Sequence, residues 1–88
     1  MEKIKAYIGF AKKSGNIAFG IDNALSKKSK LILYSSELSD NSKNKIKNSK
    51  IESIEFDKDE FNKLGESALV IGILDKSLSN AIKNNKGV

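Results

Sequence analysis

The sequence predicts a layered α/β domain, a mostly parallel or mixed sheet with helices packed against it, and three observations predict this class. Two runs, residues 31–34 and 68–74, are continuously apolar, as strands covered on both faces are. Around them lie segments with apolar residues at helical spacing, so helix and strand patterns alternate along the chain. No linker, internal repeat or proline-rich stretch divides that alternation. A chain of 88 residues makes one domain, residues 1–88, with a thin core.

The first helix covers residues 2–14. Ile4, Tyr7, Ile8 and Ala11 fall on one face, Lys12 and Lys13 occupy the last turn, and Gly15 stops it. Ile17-Ala18-Phe19 reads as a brief strand ended by Gly20. Asp22 and Asn23 open a short second helix that turns Ile21, Ala24 and Leu25 inward and ends at Lys27 and Lys28. Residues 31–34 form the first buried strand. Ser39 and Asp40 cap a third helix through about Asn48, whose one strong apolar anchor is Ile46 and whose surface carries Lys43, Lys45 and Lys47.

Ile51, Ile54 and Phe56 mark a third strand with imperfect alternation. Asp57, with Glu60 three positions later, makes a start like a capping box for a fourth helix, with Phe61 and Leu64 inward and Gly65 as its stop. Residues 68–74 form a second central strand. Asp75 caps a last helix with Leu78, Ala81 and Ile82 on one face, and residues 84–88 are expected to fray. The order is α-β-α-β-α-β-α-β-α.

Composition narrows the chemistry. There is no cysteine and no histidine, which removes disulfides, thiol nucleophiles, thiolate or imidazole metal ligands and the usual general base near neutral pH. No apolar run approaches the roughly 18 residues of a membrane span, and the N-terminus lacks a signal-peptide pattern, so a cytoplasmic protein is expected. Residues 1–50 hold eleven lysines against four acids, whereas residues 51–88 hold five lysines against seven acids. A basic half joined to an acidic half suggests a face meant for a polyanion. All sixteen basic residues are lysine, which suits phosphates better than base edges because no guanidinium fork is present.

Enzymatic constellations are weak. Asp57, Asp59 and Glu60 sit in a helix's first turn, where the helix dipole already accounts for them. Ser35 and Ser36 follow a buried strand, yet no histidine or nucleophile-elbow motif accompanies them. No glycine-rich phosphate loop exists, and no cofactor or metal is expected. The junction Phe19-Gly20-Ile21-Asp22-Asn23 is different, because a glycine followed by polar residues at a helix start suits phosphate oxygens or base edges. Lys12, Lys13, Lys27, Lys28 and Lys30 flank it in sequence.

The run GFAKKSGNIAFGIDNAL, then SKLILYSSELSDNSKNKI, then the tail LGESALVIGILDKSLSNAI, covers nearly the whole chain. In this order it resembles the bacterial YlxQ-type proteins, of the superfamily of ribosomal proteins L-seven-Ae and L-thirty. The resemblance implies a three-layer α/β/α sandwich with a four-stranded mixed sheet, and binding to structured RNA, kink-turns included. It places Asp22 and Asn23 where relatives carry an amide–acid pair in the opposite order. Lys27 and Lys28 stand nearest to a lysine one turn later, and Glu37 matches an acidic residue after the second strand. The apolar loop over the kink falls on residues 66–70, which include Ser67, Ala68 and Leu69.

The function expected is therefore that of a non-enzymatic RNA-binding protein, ribosomal or ribosome-associated, and monomeric. Lysines 12, 13, 27, 28 and 30 would neutralise phosphates, while Gly20, Asp22, Asn23, Glu37 and residues 67–69 approach the bases. A protein–protein adaptor of the same fold, without specific RNA recognition, is the alternative.

Overall fold

In the computed structural model, which describes residues 2–86, helices and strands alternate as expected. They are α1 (Glu2–Ser14), β1 (Ile17–Phe19), α2 (Ile21–Ser26), β2 (Leu31–Ser35), α3 (Asp40–Asn48), β3 (Ser53–Phe56), α4 (Lys58–Asn62), β4 (Val70–Ile73) and α5 (Lys76–Lys86). The four strands form one mixed sheet in the order β1-β4-β2-β3. Strands β2 and β3 pair in parallel, whereas β4 runs antiparallel to both β1 and β2. The sheet is thus less parallel than alternation alone suggests. The strands β1 and β2, joined through the short α2, point the same way one strand apart, and β4 fills the slot between them.

Each face of the sheet is covered. On one, Ile4, Ile8 and Ala11 of α1, Phe61 and Leu64 at α4, and Ile82 of α5 pack on Leu31, Leu33, Ile54, Phe56, Ile71 and Ile73. On the other, Ala24 of α2 and Ile46 of α3 pack on Ile32, Tyr34 and Val70. This is a three-layer α/β/α sandwich. Its central strands β2 and β4 are buried at every position, which is why they read as continuous apolar runs. The half-exposed β3 alternates instead, with Ile54 and Phe56 inward and Ser53 and Glu55 outward.

Local chemistry sets the boundaries. The Ser39 hydroxyl accepts from Ser42 N–H at 3.2 Å, and the Asp75 carboxylate accepts from Leu78 N–H at 2.8 Å. Asp57 accepts from Asp59 N–H at 3.1 Å, but Glu60 closes no capping box; its carboxylate accepts from Lys86 Nζ at 3.1 Å. That contact also corrects the expected fraying. Residues 84–86 are helical, and Lys86 lies 4.4 Å from the centroid of the Phe56 ring while it pairs with Glu60. Residues 87–88, also expected to fray, lie outside the described residues. Strand β4 is shorter than the apolar run 68–74, because Ala68 and Leu69 precede the ladder and Leu74 follows it, its N–H donating to Asn16 C=O. No helix among the described residues is long and apolar enough to cross a membrane.

Candidate RNA-binding end of the sheet

Register defines two ends of the sheet. At one, Phe19 lies opposite Ile71, Gly20 N–H donates to Val70 C=O at 2.9 Å, and Ser35 N–H donates to Leu69 C=O at 3.0 Å. Three segments far apart in sequence, 19–23, 35–37 and 66–69, therefore meet there. At the other end Ile17 lies opposite Ile73, and Lys30 N–H donates to Ile73 C=O at 2.8 Å. About 10 Å separates the two ends along β4, given ~3.3 Å per residue of strand.

Gly20 is the N-cap of α2 and holds φ at 87°, a left-handed conformation that glycine adopts without strain. A side chain added there would meet nothing within 4 Å, so its outer face is open. Asn23 folds back, its amide donating to Phe19 C=O at 3.0 Å, which leaves its Oδ1 as an acceptor. Asp22 and Glu37 are exposed. The Glu37 backbone is fixed by donation of its N–H to the buried Ser35 hydroxyl at 3.2 Å. That bond gives Ser35 a structural use. Ser36 likewise accepts from Lys58 N–H at 3.1 Å.

The loop before β4 completes this end. Ser67 is exposed, Ala68 is half-buried, and Leu69 is 40% exposed. Glu66, ahead of them, accepts from Lys12 Nζ at 3.1 Å, which ties the loop to α1 and occupies Lys12. The segments that carry Asp22, Asn23, Glu37 and Leu69 thus meet at one end of the sheet.

The lysines do not all join them. Lys27 and Lys28 stand at the C-terminal end of α2, about 10–12 Å along the helix from Gly20 at ~1.5 Å per residue. Lys30 belongs to the opposite end of the sheet, and Lys13 is exposed in the last turn of α1, which delivers the chain to the Ile17 end of β1. Proximity in sequence misleads here because a helix and a strand each carry the chain away from the junction. Lys28 adopts φ 53° as the residue after the α2 C-cap. Its N–H donates to Leu25 C=O and that of Ser29 to Ala24 C=O, a Schellman closure with lysine where glycine is usual.

Sequence reasoning missed Lys76, Asn80 and Lys83 on α5, which line a cleft with Lys30. Their spacing of four and three is the signal that places them on one helix face. A larger groove, about 560 Å³, lies beside α1 and is lined by Glu2, Lys5, Ala6 and Lys63, all exposed. Among the described residues no group of three or more acidic side chains is placed to hold a metal ion.

No protein-family model matches the chain, and no curated protein matches it in sequence. Among solved structures, a protein of unknown function from Bacillus halodurans C is similar over 93% of this chain and 94% of its own, with a TM-score of 0.77 and 16% sequence identity. What the two chains share is the fold, nearly end to end.

Proposed function

We propose that this chain is a non-enzymatic RNA-binding protein, of the ribosomal L-seven-Ae and L-thirty type, that grips structured RNA at the Gly20 end of the sheet. The observation that supports it best is the meeting of residues 19–23, 35–37 and 66–69, through the Gly20–Val70 and Ser35–Leu69 backbone bonds. The side chains presented there are acceptors, and guanine is the base whose amino group donates in the minor groove. Asp22, the Asn23 Oδ1 and Glu37 are suited to such donors in an opened or kinked helix, with Leu69 as an apolar surface for an unstacked base. Lys27 and Lys28 supply positive charge farther along α2 for phosphates.

Fluorescence anisotropy with a kink-turn RNA, a plain duplex and a single strand at several salt concentrations tests this. Kink-turn RNA is expected to bind tightest, and Asn23→Ala to lower that preference about tenfold, the worth of one good base contact. Asp22→Ala should also lower it, while raising duplex affinity through the removed negative charge. Equal, weak binding to all three RNAs would eliminate kink-turn recognition, and no binding to any would eliminate the RNA reading.

One observation favours an adaptor instead: Phe10 on α1 is 56% exposed. A single exposed aromatic is ordinary on a monomer. A salt-insensitive dimer that Phe10→Ser dissociates, in a protein without RNA affinity, would establish the adaptor.

A further inference from the structure

A cleft of about 240 Å³ is lined by Lys30, Glu52, Lys76, Ser79, Asn80 and Lys83. Three separate pieces of chain build it. Lys30 is placed by its backbone bond to Ile73, at the end of β4. Lys76 opens α5 shortly after β4 ends, and Asn80 and Lys83 follow it on the same helix. Glu52 comes from the residue just before β3 and accepts from Lys83 at 2.9 Å. The buried Ser79 hydroxyl is turned away to Asp75 C=O at 2.8 Å, and the Asp75 carboxylate is used by Leu78 N–H.

The charge of this cleft is unbalanced. Three ammonium groups face one carboxylate, and among the described residues neither Lys30 nor Lys76 has an ion-pair partner. Like charges gathered around a concavity concentrate a positive potential there. The lining is rich in donors, since each ammonium offers three and accepts none. Its volume falls below the ~300–1,000 Å³ of pockets that enclose drug-sized ligands, so it suits a phosphate group rather than a whole nucleotide.

We propose that this cleft is a phosphate-binding site, with Lys30 and Lys76 as its charged ligands and Asn80 beside them. Resting on the RNA reading above, the phosphate belongs to the backbone of the RNA gripped at the Gly20 end, and Lys27 and Lys28, at the C-terminal end of α2, precede Lys30 by three and two residues. The cleft then positions the RNA without reading its sequence, while the Gly20 end discriminates.

Two arms of one experiment separate the claims. In the first, the full chain is titrated with inorganic pyrophosphate and followed by amide NMR shifts. Saturable shifts are expected at Lys30, Lys76, Ser77 and Asn80, weakened about tenfold in K30Q/K76Q and strengthened several-fold in E52Q, which frees Lys83. Shifts spread evenly over all lysines, or unchanged affinity in K30Q/K76Q, would overturn the site whatever RNA does. In the second arm, K30Q/K76Q should reduce the log–log salt slope of RNA binding by roughly 0.7–0.9, the amount for one phosphate no longer neutralised. RNA bound with an unchanged slope, while pyrophosphate still saturates the cleft, would overturn the RNA backbone as the source and leave a site for free phosphate compounds. Pyrophosphate binding with no RNA affinity would likewise uphold the site and sink the RNA reading alone.

Discussion

Gly72 lies directly beneath Ala24: a methyl group on residue 72 would come within 3.0 Å of the Ala24 Cβ and 3.2 Å of its Cα, and would collide with the Ser29 hydroxyl. The glycine lets α2 sit against β4, and the position of α2 in turn sets where Asp22 and Asn23 stand. Gly72→Ala should therefore destabilise the protein by about 1–3 kcal/mol, as overpacking of a tight core does. Urea unfolding measures the loss, and a change below about 0.5 kcal/mol would show that α2 moves aside freely.

Lys28 and Lys50 both occupy left-handed backbone, at φ 53° and 61°. A side chain there costs about 1–2 kcal/mol relative to glycine, partly offset by the greater freedom of glycine in the unfolded chain. Lys28→Gly and Lys50→Gly should each raise stability by up to about 1 kcal/mol, read as a higher denaturation midpoint at constant slope. If Lys28 contacts phosphate, Lys28→Gly should also weaken RNA binding, so stability and affinity move in opposite directions.

Tyr34 is nearly buried on β2, beside Glu55, which pairs with Lys43 at 3.2 Å. Burial raises its phenol above the ordinary value of 10.0, the Glu55 carboxylate raises it further, and Lys43 partly opposes the shift. The folded state thus holds this proton more tightly than the unfolded chain. Its contribution is fully present below pH 10 and is lost as pH climbs from there through the raised folded value. Tyr34→Phe should flatten that part of the stability curve between pH 9 and 11, with Tyr7 and the lysines as a common background. Parallel curves for the two proteins would refute the shift.

The Lys12–Glu66 pair joins α1 to the loop before β4, with the Lys12 side chain 48% exposed. Exposed pairs of this kind contribute at most about 1 kcal/mol. A double-mutant cycle with Lys12→Met and Glu66→Gln should return a coupling below that, shrinking with added salt. Glu66→Gln alone should strengthen RNA binding, because it frees a lysine beside the Gly20 end; an unchanged affinity would place Lys12 outside the RNA interface.

By itself the sequence determined the element order, because each signal is local. Apolar runs marked β2 and β4, helical spacing marked α1 and α5, and Ser39, Asp57 and Asp75 marked helix starts through bonds to residues two or three positions on. Gly20, Asp22 and Asn23 were legible for the same reason, since junction chemistry is written in adjacent residues. Tertiary structure decided what depends on pairing between distant segments. The insertion of β4 between β1 and β2 brought Leu69 beside Ser35 and Val70 beside Gly20. It also carried Lys30 to the far end of the sheet, into the cleft with Lys76 and Lys83. No local pattern specifies strand order, because it is fixed by which faces bury together, and strand order divided one lysine-rich stretch of sequence between two ends of the molecule.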